Sequence, residues 1–191
     1  MLLSMTTPQR RDMRAEILDT ARRLFGTKGY TVTSIADLAD ALGVTKGALY
    51  YHFKSKEAIL SALVAEPAAE IAVIARDAAD RTPRELLTAL IDLQARHPAA
   101  YMALQSGAAS VMQEHSQRHD FAGKTELIIM AVAGRQPSPS RVIRARMAVA
   151  AVKEGTMAAL LAGNGTLTDR MRLDLLEAAT ATLDAGGSSS S

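Results

Sequence analysis

Lys46, Gly47, Tyr50 and Tyr51 fall on one side of the short segment TKGALYYHF. Their chemistry suits contact with a second, anionic polymer. A lysine ammonium can donate to guanine O6 and N7, and phenolic hydroxyls can donate to phosphate oxygens. Gly47 is costly inside a helix, by about 1 kcal/mol relative to Ala, but it lets a backbone or base edge come close. Lys46 and Tyr51, with Gly47 between helix and groove, are therefore candidates for reading base edges. Thr33 and Ser34 at a helix N-terminus, with Tyr50, His52, Lys54 and Lys56, are candidates for clamping phosphates. Thr45, which opens the reading helix, joins the same DNA-facing set.

These residues need two short helices to hold them, and TSIADLADALGVTKGALYYHF supplies both. Ser34 and Asp37 stand three apart, as in a capping box. Ile35, Leu38, Ala39 and Leu42 then repeat at helical spacing. Gly43 follows where a helix end favours positive φ. Val44 plugs the angle, Thr45 caps the second helix, and Ala48 and Leu49 are expected to face Ile35 and Leu38. Such a pair presents its second helix to the DNA major groove. The plain alternative is an αα-hairpin within a helical bundle.

The flanks favour the first reading. RAEILDTARRLFGTKGY is a helix with Ile17, Ala21, Leu24 and Phe25 on one face, ended by Lys28 and Gly29. After Phe53, Ser55 caps a further helix carrying Lys56, Ile59, Leu60 and Leu63. In this order, and above all in ARRLFGTKGY, TVTSIADLADALGV and TKGALYYHFKSKEAIL, the chain resembles the tetracycline-repressor (TetR) family of bacterial regulators. The resemblance covers about the first 65 residues; the rest matches in length and helical character. It implies an all-α protein: a three-helix helix-turn-helix DNA-binding domain, then a helical domain for ligand binding and dimerisation. It also implies that Tyr50 and His52 hold phosphate-contacting positions. The expected boundaries are 1–56 for the DNA-binding domain (core about 12–54), 57–184 for the effector and dimerisation domain, and 185–191 for a flexible tail.

Charge is divided along the same line. Residues 1–57 hold 9 Lys and Arg against 6 Asp and Glu, and the remainder 13 against 14. The basic excess thus lies at the end expected to meet DNA. The 191 residues contain no cysteine, which excludes thiol catalysis and a disulfide framework. MLLSMTTPQRR has no long apolar core of the kind a secretion signal needs, and no run of 18 apolar residues occurs. A cytoplasmic location without membrane partners is expected.

Beyond Ser55 the chain reads as helical throughout. Pro67 should kink or break its helix, having no N–H for the carbonyl of Leu63. Thr82 and Pro83 open the next helix, GRQPSPS is a loop, and Arg141–Ala162 and Thr168–Leu183 form the last two helices. Val149, Ala150, Val152, Thr156, Ala159 and Leu160, with Leu175, Leu176, Ala179 and Leu183, offer more small and apolar surface than one face buries. By analogy with TetR-like proteins these last two helices form a homodimer, whose dyad would match a palindromic operator in double-stranded DNA.

A small-molecule effector pocket is expected at Tyr101, Met102, Leu104, Met112, His115, Phe121, Met130 and Met157. Glu114, Gln117 and His119 are further polar candidates. Flexible methionines suit a lipophilic or mixed-polarity molecule. His115 and His119 stand four apart beside Asp120, but EHSQRHD is strongly polar, and no metal site or cofactor is expected. No Ser-His-Asp order, phosphate loop or HExxH is present. Two functions therefore compete: a ligand-responsive transcriptional regulator acting as a repressor, and a helical small-molecule-binding protein or enzyme without specific DNA binding.

Overall fold

The computed structural model describes residues 12–106, 113 and 117–185, without the side chains of 104–106. The expectations for Leu104, Met112, Glu114 and His115 as ligand contacts, and for the tail beyond 185, lie outside the described residues.

Every described element is helical. The order is α1 (Met13–Thr27), α2 (Ile35–Leu42), α3 (Lys46–His52), α4 (Lys56–Arg76), a 3-10 turn (Ala78–Asp80) and α5 (Pro83–Arg96). There follow α6 (Pro98–Ser106), α7 (Phe121–Ala133), α8 (Pro139–Ala162) and α9 (Asp169–Asp184). Side-chain caps set most of the starts. Ser34 and Asp37 form the capping box of α2, and Thr82 and Glu85 that of α5. Asp12, Thr45, Ser55, Ser138 and Thr168 cap α1, α3, α4, α8 and α9. Gly43 ends α2 at φ 66°, a left-handed conformation costly to any residue with a Cβ.

Two cores form. The first joins Ile17, Ala21, Leu24 and Phe25 of α1 to Leu38, Leu49 and Phe53. It continues into Ile59, Leu60, Leu63 and Val64 of α4 and takes in Ala103 of α6. The second is built by α4 beyond Ile71 with α5, α7, α8 and α9. Phe121 packs against both. Ala48 faces solvent, whereas Leu49, about 100° round the helix from it, plugs the angle from α3.

α4 runs unbroken through Pro67, which is buried. Its 21 residues are long and apolar enough to cross a membrane, at a mean hydropathy of 1.8 over the best window. Here its buried face serves both cores, and 44% of that window is inside the protein. α6 makes a second, non-covalent link between the halves: a Cβ placed on Gly26 of α1 would lie 3.8 Å from that of Ala99. A chain of polar side chains crosses the same seam. Arg22 Nη2 stands 3.6 Å from Glu66, whose carboxylate is 3.9 Å from His97 Nδ1. His97 Nε2 and Arg96 Nη2 each lie 2.5 Å from Glu70. Against the opposing effect of burial, the hydrogen bonds from Arg96 and His97 hold Glu70 below the usual carboxylate range.

Candidate nucleic-acid interface and effector cavity

α3 is fixed from one side only. Leu49 is fully buried, and Phe53 beyond the helix end is nearly so, with the Arg14 guanidinium 5.1 Å from its ring centroid. The opposite face carries Lys46, Gly47, Tyr50 and Tyr51, spaced so that all four project from one side of the helix. Tyr51 is 80% exposed and Tyr50 44%. The His52 ring meets the Tyr51 ring edge-on at 5.2 Å, which orients both. Lys46 and Lys54 are exposed and make no ion pair among the described residues. Thr45 Oγ1 accepts from Ala48 N–H at 3.2 Å, so the hydroxyl serves the helix start.

The start of α2 is similarly organised. Ser34 is exposed, accepts from Asp37 N–H at 3.1 Å and donates to the Asp37 carboxylate at 2.5 Å. The hydrogen bonds that the Asp37 carboxylate accepts from the Ser34 hydroxyl and from the Ser34 N–H at 2.8 Å pull it down to about 2.

Two expected phosphate contacts do not stand. Thr33 is fully buried, and its hydroxyl donates inward to Gly29 O at 2.8 Å. Lys56 folds back over the Tyr30 ring, 4.3 Å from its centroid, and its ammonium donates to the carbonyls of Tyr30 at 2.9 Å and Thr33 at 3.0 Å. It closes the loop between α1 and α2 onto α4, leaving little of its charge for DNA. Burial, and then Glu57, raise the Tyr30 phenol to about 12, so it stays neutral under that ammonium.

In the C-terminal half, five helices surround a cavity of about 310 Å³. Val64, Pro67 and Ile71 of α4 face Leu90 and Gln94 of α5, and Ala100 and Tyr101 of α6. Phe121, Thr125 and Ile128 of α7, with Val149, Lys153 and Glu154 of α8, complete the wall. Tyr101 and Phe121, both expected as ligand contacts, are part of this wall. Burial, and then the nearby Glu70, push the Tyr101 phenol up to about 12.

None of the described methionines lines the cavity. Met130 is on the outside of α7, Met157 is buried in the α8 packing, and Met102 is half-buried away from the wall. Gln117 is exposed, and His119 stacks beside Phe121 at 5.6 Å, its pKa lowered by burial, then by Lys124 and Arg118. Gln94, Thr125, Lys153 and Glu154 were not anticipated. Gln94 did leave a signal: it sits four residues after Leu90, at a core position of the α5 stripe.

Val149, Val152, Thr156, Leu160, Ala179 and Leu183 are spent on packing within the subunit. The large apolar side chains that α8 and α9 leave outward are Ile143, Met147, Leu161 and Leu173, with Ala150 also exposed.

A helix-turn-helix unit carried on a hollow helical body defines the class. The comparisons agree: residues 17–63 match the profile of bacterial regulatory proteins, tetR family. The chain is 45% identical over 56 residues to the transcriptional regulator AcrR of Shigella flexneri, covering 29% of this chain and 26% of that protein. It is 32% identical over 107 residues to the repressor KstR2 of Mycobacterium tuberculosis, covering 55% and 52%. The matched part thus spans about a quarter to a half of these relatives. The solved structure of the ketosteroid transcriptional regulator KstR2 of M. tuberculosis superposes with a TM-score of 0.72 at 19% identity, over 93% of this chain and 96% of that one. Residues 17–63 thus carry a domain of the TetR family, and the relatives are named transcriptional regulators.

Proposed function

We propose that this chain is a cytoplasmic transcriptional repressor that binds a palindromic operator as a homodimer and is released by a small lipophilic or mixed-polarity effector. The observation that carries this reading is the outward face of α3, where Lys46, Gly47, Tyr50 and Tyr51 are exposed while Leu49 holds the helix from behind. Lys46 and Tyr51 read bases. Ser34, Tyr50, His52 and Lys54 contact phosphates. Ile143, Met147, Leu161 and Leu173 supply apolar surface for pairing α8 and α9 across a dyad.

The cavity supports the effector half of the proposal. It is walled by α4 and α6, the two elements that also enter the first core, through Val64 and Ala103. An effector that favours a dimer spacing unable to meet both half-sites shifts the population away from DNA, and DNA weakens effector binding by the same factor.

Selection of binding sites from random duplexes, with the wild type and Lys46→Ala, tests the DNA reading. The wild type should recover a palindrome. The variant should relax one position per half-site, at a cost of about 1–3 kcal/mol of discrimination. Recovery of no palindrome by the wild type would remove the regulator reading, and an unchanged motif in the variant would remove Lys46 from it.

A further inference from the structure

Gln94 is 3% exposed, lines the cavity, and its side chain makes no hydrogen bond among the described residues. A carboxamide brings two N–H donors and a carbonyl acceptor, and burying them unpaired is unfavourable. The same wall supplies two further neutral groups, the hydroxyls of Thr125 and Tyr101, neither hydrogen-bonded within the described protein. The charged lining residues, Lys153 and Glu154, are both exposed and therefore belong to the rim. Everything else on the described wall is apolar.

An ionised group placed beside Gln94 would leave water without a buried counter-charge to meet it, which is strongly disfavoured. A pure hydrocarbon would fill the space but leave the amide unpaired. We propose that the cavity takes an uncharged lipophile bearing a carbonyl or hydroxyl group, held by the amide of Gln94. This deepens the effector reading and rests on the cavity being the effector site.

Calorimetric titration of the full chain, without DNA, decides it. The probes are butyrophenone, n-butylbenzene, phenylbutanoate and benzyltrimethylammonium, which share a phenyl ring and differ in the polar group. The wild type should bind butyrophenone roughly tenfold more tightly than butylbenzene, and more tightly than either ion. Gln94→Leu should bring the ketone-to-hydrocarbon ratio close to one while still binding the hydrocarbon, and Gln94→Met should do the same. A ratio near one in the wild type overturns the anchor. Tighter binding of either ion overturns the ligand class, and no binding by any probe overturns both. The wild-type comparison stands even if a variant fails to fold. No operator is present, so failure of the DNA reading leaves these outcomes unchanged.

Discussion

Residues 17–64 close their interior with Phe25, Tyr30 and Phe53, whereas the C-terminal helices use branched aliphatics and leave a cavity of about 310 Å³ among them. In the first core the Phe25 and Tyr30 rings meet edge-on at 5.1 Å. A unit of so few residues has little apolar area to spare, and its three short helices depend on large rings. The larger body has five helices around one centre, and a void there costs it a smaller share of its stability. On the proposed function, the difference teaches that rigidity sits where geometry must be presented to DNA, and empty volume where an effector would enter.

The largest test of this contrast is Phe25→Ala. It should lose about 3–5 kcal/mol in denaturant unfolding and abolish operator binding. A loss below about 1 kcal/mol would mean that the first core is as permissive as the second. Next come the two lysines around Ser55. Lys56→Met, which keeps the stem and removes the ammonium, should cost about 1–2 kcal/mol of stability and leave the salt dependence of DNA binding intact. Lys54→Ala should do the reverse, lowering the salt slope by roughly one unit with little change in stability. Exchange of these outcomes would return Lys56 to the phosphate set.

Smaller and opposite in sign is Val149→Leu, which adds bulk to the cavity wall. It should raise stability by about 0.5–1 kcal/mol and weaken effector response. Destabilisation would show that the void is already filled in solution. The smallest effect is electrostatic. Because Asp37 is held at about 2, below its ordinary value, its contribution to stability is present above about pH 4 and disappears as pH falls toward 2. Thermal unfolding across that range should flatten in Asp37→Asn relative to the wild type.

What sequence could reveal follows the same divide. The reading unit was legible because its signals are local: Ser34 with Asp37, Gly43 at φ 66°, Thr45 before α3, and one apolar stripe per helix. Its errors were also local in kind. Thr33 and Ser34 look alike as caps, yet only the chain path after Gly29 turns the Thr33 hydroxyl inward. Lys54 and Lys56 look alike as cations, but only Lys56 begins a helix whose first turn faces the carbonyls of Tyr30 and Thr33. The cavity was legible only at Tyr101 and Phe121. Its wall depends on where five helices cross, which periodicity along any one of them does not encode. Methionine flexibility drew attention to Met102, Met130 and Met157, while the residues lining the space were branched aliphatics and Gln94.

The reach of the first core into α4 bears on how such proteins can recombine. A crossover at Ser55, where the reading unit ends by eye, would separate Phe25 and Phe53 from Ile59, Leu60, Leu63 and Val64, and so split one interior between two parents. A crossover after Val64 would keep that interior together and, among the described residues, leave Ala103 and Phe121 to be matched from the recipient. Gly26 and Ala99 mark where α1 meets α6, and even a Cβ on Gly26 would sit there at an ordinary 3.8 Å. On the proposed function, the joint between reader and sensor would lie inside a helix, about two turns beyond the loop that separates them on paper.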